Sequence, residues 1–373
     1  MTHTSPHQPR RVGVVSSAQT AFRPAWSGAQ HIDLISSAVH NALKASGLRI
    51  EDVDFVIDSG SDVLDGRSIS NCGFLGAMGA HHKEESRVED DGLWAALYGV
   101  NKIASGSADV GLIIAYAKPS EAEVDRFHST IADPFVQRPV GLDEDTANGL
   151  IAQQYLARHR RGEETLARVA AQAWARARSN PRLELDAVPS IDEIAASEAV
   201  ATPLRRLMMA RPVDGAVALV LASEAVARRA SRKPVWVTGM GAASDSGNFA
   251  QRAPGFASCT AAAKRACDRA GLKAASATVV ESSATSAAAE IVTLEALGVA
   301  EAGAGADVYL DGGLSRINAS GGALPAHPVF ATGLVRLAEA SERLVAADRD
   351  GRAIVHASSG LGAQSHCVFV IES

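Results

Sequence analysis

Ala42-Leu-Lys-Ala-Ser-Gly-Leu48 returns later in the chain as Ala266-Cys-Asp-Arg-Ala-Gly-Leu272, an offset of 224 residues. Each copy runs into an apolar stretch at the same offset, Val53-Asp-Phe-Val-Ile57 and Ala277-Thr-Val-Val-Glu281. Each is also preceded by a short β-type run, Arg11-Val-Gly-Val-Val-Ser16 and Val235-Trp-Val-Thr-Gly239. One such match is an ordinary coincidence, whereas three ordered matches at one shift indicate a duplicated unit of strand, helix, glycine turn and strand. Further strands are expected at Asp109-Val-Gly-Leu-Ile-Ile-Ala-Tyr116, Ala216-Val-Ala-Leu-Val-Leu221, Ala353-Ile-Val-His356 and Cys367-Val-Phe-Val-Ile371. Strands alternating with amphipathic helices give an α/β fold, here two similar βαβαβ-type halves with mainly buried sheets.

The boundaries follow from where the pattern changes. Residues 1–9 read as a flexible lead-in, 10–117 with 211–230 as the first half, and 231–373 as the second. Residues 118–210 are polar and helix-rich and read as an inserted loop domain, with Glu164 to Ser179 keeping apolar side chains at helical spacing. Within the insert, Arg158-His-Arg-Arg161 is compatible with a phosphate but reads first as a solvated charged face.

Composition excludes several classes. A chain of 373 residues with 47% hydrophobic residues can bury two ordinary cores. Aromatic residues make up 5% and the net charge is −6, which argues against a nucleic-acid partner. No apolar run approaches the roughly 20 residues of a membrane span, and the N-terminal residues lack a signal-peptide core, so a cytoplasmic location is expected. Cys72, Cys259, Cys267 and Cys367 have no metal-ligand spacing along the chain, and reduced thiols are expected.

Four segments carry a resemblance to a known family. Asn318-Ala-Ser-Gly-Gly-Ala-Leu-Pro-Ala-His-Pro-Val-Phe-Ala-Thr-Gly333 resembles the closing histidine motif of thiolases, and Gly92 to Ser120 resembles their nucleophile helix and following strand. Pro212 to Glu224 and Glu281 to Gly298 resemble the strand ending the first half and the segment with the family's His/Asn-x-x-Phe loop. The chain is similar to the thiolase superfamily over nearly its whole length, in the style of sterol-carrier-type, lipid-transfer-associated members. That resemblance implies a thiolase fold, with the halves packed as a five-layer α/β/α/β/α core. It also implies an acyl-CoA substrate with no other cofactor and no metal, a homodimer, and often a small OB-fold/zinc-ribbon partner that helps carry the acyl-CoA.

The departures from the family pattern bear most on function. Where thiolases place a reactive cysteine, three residues before the glycine matched by Gly92, this chain has Glu89. A helix N-terminus lowers a thiol's pKa, so the loss removes an activated nucleophile. Glu89 has three readings: a helix-capping carboxylate within Glu89-Asp90-Asp91, a general base at the old thiol position, or an ion-pair partner for His327. The family's oxyanion-side His or Asn falls on Ser283, and the neighbouring acidic and aromatic positions fall on Ala284 and Ser286. The second catalytic cysteine has no clear counterpart, and Cys367 reads as a core side chain.

His327 stays in register, as a general base or a donor to a substrate oxygen, or alternatively as a structural residue of the Pro328 turn. Candidate catalytic residues are therefore His327, Glu89 and Ser283. Candidate substrate-binding residues are Asn318, Gly321, Gly322, His356, Gly360 and Gly362, with His366 a weaker pocket candidate.

Three functions compete on this reading. One is an aldolase acting on a 3-hydroxyacyl-CoA, such as a steroid or other lipid side chain, without a covalent intermediate. Another is an acetyl-CoA C-acyltransferase, whose mechanism needs the missing cysteine. The last is a catalytically silent subunit that binds CoA esters or stabilises a partner.

Overall fold

A computed structural model describes residues 9–310, 316–347 and 350–373. The strands are β1 (Val12–Gln19), β2 (Phe55–Ser59), β3 (Glu84–Val88), β4 (Val110–Ala117), β5 (Ala199–Ala201), β6 (Leu204–Arg205), β7 (Gly215–Ser223), β8 (Val235–Ser244), β9 (Val279–Ser282), β10 (Arg352–Ser359) and β11 (Ser365–Glu372). The helices of the first half are α1 (His31–Ser46), α2 (Asp62–Asp65), α3 (Leu75–Met78) and α4 (Gly92–Ala104). Between β4 and β7 lie α5 (Val124–Ile131), α6 (Glu144–His159), α7 (Glu164–Ala177) and α8 (Ile191–Ala196). The remainder are α9 (Glu224–Ala227), α10 (Ala257–Ala270), α11 (Ala287–Ala296), α12 (Gly305–Leu310) and α13 (Thr332–Ala346).

The duplication inferred from the chain is visible in the strand order. The first half runs β3-β2-β4-β7-β1 and the second β8-β11-β10-β9, joined where β1 meets β8 through Gly13 to Trp236 and Val14 to Val235. A parallel bridge from Val280 to Ile317 extends the second half beyond β9, where β3 flanks β2 in the first. In both halves the first strand leads into a helix, α1 or α10, that ends at a left-handed glycine, Gly47 (φ 75°) or Gly271 (φ 59°). Glycine takes that conformation without the Cβ clash other residues meet, which is why the Gly-Leu pair marks both helix ends.

Burial sorts the molecule into five layers. Leu34, Ile35 and Val39 of α1 cover one face of the first sheet, packing with Ile114, Ala218 and Val220. Its other face, with Ile113, Leu219 and Leu221, packs on Leu93, Ala96 and Val100 of α4 and on Leu334 and Leu337 of α13. The same two helices meet Ala353, Val355 and Phe369 of the second sheet. That sheet's far face, with Ile354, Val368 and Val370, is covered by Cys259, Ala262 and Ala266 of α10 and Ile291 of α11. The alternation along β10 and β11 follows from the period-two geometry of strands. Central helices α4 and α13, packed between the two sheets, are therefore the elements that carry a site into the middle of the molecule. Among the described residues no helix is long and apolar enough to cross a membrane.

Candidate active site

The N-termini of α4 and α13, one from each half, meet at a single carboxylate. Asp91 Oδ1 accepts the Leu93 N–H at 2.9 Å and Oδ2 accepts the Gly333 N–H at 2.8 Å. The approach depends on two glycines. A Cβ on Gly92 would lie 2.7 Å from Leu334 Cβ, and one on Gly333 would lie 2.0 Å from Asp91 Oδ1. Burial pushes the Asp91 carboxyl up to about 7, against the two N–H groups that favour its charged form.

His327 hangs over this junction. Its backbone is fixed by a hydrogen bond from its N–H to Arg211 O at 2.8 Å and by the Val213 N–H donating to its carbonyl. Nδ1 lies 2.7 Å from Thr332 Oγ1, and that hydroxyl donates back to Pro328 O at 3.0 Å. Because the hydroxyl proton is committed to Pro328, Thr332 accepts from Nδ1–H, which assigns the tautomer and leaves the Nε2 lone pair for the cavity. Burial, reinforced by His128 on α5, pushes the imidazole down to about 3, so it is neutral at physiological pH.

A cavity of about 330 Å³ opens in front of His327. Glu89, Asp91, His128, Ser283, Thr332 and Gly360 are in its wall, so the structure brings together all three candidate catalytic residues. Glu89 is not the helix cap, a role Asp91 fills two residues later. Nor does it pair with His327, since its Oε1 accepts the Asp62 N–H at 2.8 Å and its Oε2 meets Arg87 Nε at 3.1 Å. Its side chain is 51% exposed and faces the cavity rim. Ser283 Oγ accepts the Ser358 N–H at 3.1 Å, so its own proton is free to be donated into the cavity.

Of the candidate binding residues, only Gly360 lines this cavity. Gly362 lines a second one of about 260 Å³, walled also by Arg158, His159, Arg252 and Phe256. Ala363 is common to both, and Glu144, in the first wall, accepts the Gly362 N–H at 2.8 Å. The expected solvated face holds, with Arg158 and Arg160 exposed and His159 and Arg161 half-buried, and Arg158 and His159 also border this cavity. Asn318, Gly321, Gly322 and His356 lie outside both walls. The side chain of Asn318 is spent on structure, with Oδ1 accepting the Ser282 N–H and Nδ2 donating to Glu290. Gly321 and Gly322 occupy left-handed positions in the turn, at φ 101° and 71°. His356 is buried beneath α10, hydrogen-bonded to His366.

Among the described residues no cysteine is in either wall. Cys72 is exposed in a 3-10 turn, and Cys259, Cys267 and Cys367 are buried in core clusters. Cys367 has Asp91 and Asp90 nearby, and burial with these charges pushes its thiol well up, away from the thiolate. Sequence reasoning missed Asp91 as the clamp, and missed Glu144 and His128 altogether. A signal existed for Glu144, because Asp143 and Thr146 form the reciprocal cap that starts α6 and points its first turn at the site.

Comparison with known proteins places this geometry in a family. Residues 241–372 match the model described as thiolase C-terminal domain-like. Acetyl-CoA acetyltransferase of Methanothermobacter thermautotrophicus is 25% identical over 344 residues, 88% of this chain and 90% of that one. Sterol carrier protein 2 of Bos taurus is 32% identical over 175 residues, 43% of this chain and 32% of that protein. Among solved structures, the Ltp2-ChsH2(DUF35) aldolase superposes with a TM-score of 0.82 at 20% identity, covering 98% of each chain. A monomeric SCP2-thiolase like protein type 1 from Mycobacterium smegmatis gives 0.75 at 19% identity, over 97% of this chain and 77% of that one. With two duplicated halves meeting at a His-Pro corner on paired central helices, the chain has the fold of its thiolase neighbours and is similar to the thiolase superfamily with sterol-carrier-type relatives, while among the described residues no cysteine lines either cavity.

Proposed function

We propose that this protein makes or cleaves a carbon–carbon bond of an acyl-CoA thioester without an acyl-cysteine, acting as a retro-aldolase on a 3-hydroxyacyl-CoA. The observation that carries this reading is a neutral imidazole with a free Nε2 in a cavity that holds no thiol. Such a site can move a proton but offers no thiol to take an acyl group.

In the proposed reaction a base removes the proton of the substrate β-hydroxyl, the Cα–Cβ bond breaks, and its electron pair passes into the thioester carbonyl as an enolate. The carbonyl fragment leaves, and a proton is delivered to Cα to give the shorter acyl-CoA. His327 Nε2 is suited to accept a hydrogen bond from the β-hydroxyl and orient it, and Glu89 on the same wall to take its proton and exchange it with solvent. The free proton of Ser283 is suited to the enolate oxygen. The second cavity, whose wall carries Arg158 and Arg252 beside Asp245 and Glu295, offers two guanidinium groups to the phosphates of coenzyme A, and Ala363 lies where the acyl arm would cross into the first.

A homodimer and a small OB-fold/zinc-ribbon partner are part of the same proposal, the latter supported by the ChsH2(DUF35) component of the Ltp2-ChsH2(DUF35) aldolase. So are a cytoplasmic location and a bulky lipid or steroid acyl group. The acetyl-CoA C-acyltransferase reading lacks its nucleophile. A silent subunit predicts no turnover at all.

The test is chromatography of a 3-hydroxyacyl-CoA after incubation with the protein. Release of an aldehyde or ketone with a shorter acyl-CoA, lost in His327→Ala, supports the aldolase. No turnover, with or without a copurifying partner, defeats it.

A further inference from the structure

We propose that Cys259, His356 and His366 form a buried three-ligand site for a thiophilic d10 cation, zinc(II) or copper(I), behind the wall of the second cavity. The three residues come from three elements and are far apart in sequence, which is why no spacing along the chain announces them. Cys259 is the third residue of α10, facing the second sheet. In the β10–β11 pair, His356 stands opposite Val368 and His366 opposite Ser358. The two histidines are thus diagonal neighbours on the sheet face that α10 covers. All three side chains are fully buried.

The donor atoms lie within 4.8 Å of one another, and His356 Nε2 is 2.9 Å from His366 Nδ1. Metal–nitrogen bonds of about 2.0 Å and metal–sulfur bonds of about 2.3 Å place donors roughly 3.3 to 3.8 Å apart around a tetrahedral or trigonal ion. The two nitrogens need to open by about half an ångström and the sulfur to close by about one at most. Both changes are within reach of small side-chain rotations.

As a purely structural pair the histidines are poorly served. They share one hydrogen bond, and His356 Nδ1 is buried with no partner. A buried polar atom left so is destabilising, and apolar side chains would fill the same space without that penalty. The Ala363 carbonyl favours a proton on the outer side of His366 and nothing holds the outer Nδ1 of His356, so both rings can present lone pairs inward.

The chemistry of the donors agrees. Burial drives the His366 imidazole down to about 4 and His356 well below its ordinary value, so both are neutral ligands at pH 7. Asp245, Arg252 and the Ala363 carbonyl are the other groups that act on His366. Burial raises the Cys259 thiol, although the positive end of α10 favours its thiolate. An arriving cation displaces that proton to solvent and forms the metal–sulfur bond. Copper(I) leaves a neutral complex, whereas zinc(II) leaves one positive charge nearest Asp245 and a fourth position open. Phe256, whose ring stands 5.2 Å from that of His366, and Thr260, next to Cys259 in the chain, reach from the site to the wall of the second cavity.

The experiment strips the purified chain with a chelator and reloads it with zinc(II), or with copper(I) anaerobically. Bound metal is counted by elemental mass spectrometry after gel filtration. The expected result is one ion per chain, one proton released per ion, and a rise in melting temperature on loading. All three should vanish in Cys259→Ala, a small change in an alanine-rich helix, checked for folding by circular dichroism. Cobalt(II) in the unaltered chain should show a sulfur-to-metal charge-transfer band, a readout that needs no variant. Zinc retained without copper, or the reverse, identifies the ion. No ion held by the unaltered chain, no charge-transfer band, or equal binding by Cys259→Ala overturns the proposal.

Discussion

Gly333→Ala tests the junction on which the site is built. The added methyl would stand 2.0 Å from Asp91 Oδ1 and 2.6 Å from Ala357 Cβ, both well inside contact distance. Asp91 cannot retreat freely, because it is only 4% exposed and holds Leu93 N and Gly333 N at 2.9 and 2.8 Å. Forcing a methyl into a packed core costs about 1–3 kcal/mol, and losing one hydrogen bond to a charged group costs about 1.5–3 kcal/mol more. The sum, about 2.5–6 kcal/mol, is a large part of the 5–15 kcal/mol that holds a typical domain folded. Urea unfolding at pH 8, where the Asp91 carboxyl is mostly ionised, gives the value, provided fluorescence and circular dichroism transitions coincide. In the double variant with Asp91→Ala the oxygen clash is gone. The two changes should then cost less together than their sum, by about 1 kcal/mol or more. A Gly333→Ala cost under about 1 kcal/mol, or strict additivity, refutes the clamp.

Three further outcomes follow from the same geometry. His327→Ala should lower kcat/KM for retro-aldol cleavage by about 10²–10⁴ with folding intact; a loss below tenfold removes the imidazole from the chemistry. Glu89→Gln should reduce kcat while shifting stability by under about 1 kcal/mol, since its pair with Arg87 is half exposed; unchanged kcat with a lower melting temperature makes Glu89 structural only. For pH, His327 and His366 have folded pKa values near 3 and 4, below their unfolded values, so their stabilising contribution is complete above about pH 6.5 and lost on acidification. Asp58 and Asp91 at about 7 and Glu290 at about 8 are raised, so their contribution is present in acid and lost as pH rises through those values. With the histidines already neutral, melting temperature should fall between pH 6.5 and 8.5, and a flat or rising profile contradicts the burial of these acids.

The parts of the fold legible in the chain were those whose burial forces a pattern. Strands such as Val-Gly-Leu-Ile-Ile-Ala of β4, buried on both faces, show as apolar runs, and the glycines ending α1 and α10 show as turns. β3, Glu-Glu-Ser-Arg-Val, went unread because it is a half-exposed edge whose side chains are mostly polar. In the site, His327 was legible from its motif. Glu89 was singled out by its alignment with the missing cysteine, but which of three consecutive acids reaches the helix ends is decided by backbone direction at Asp91. His356, taken as pocket-lining, sits beneath α10 because residue parity along β10 turns it away from the cavity. The contact of Glu144 with Gly362 joins residues 218 apart, and no local pattern encodes it.

The central claim is that catalysis here proceeds without a thioester to the protein. Intact-protein mass spectrometry of the chain quenched during turnover with an acyl-CoA tests it most directly. The account predicts an unmodified mass at every time point while product accumulates. An acyl adduct mapped to Cys72, Cys259, Cys267 or Cys367, formed and discharged at the rate of turnover, would contradict it.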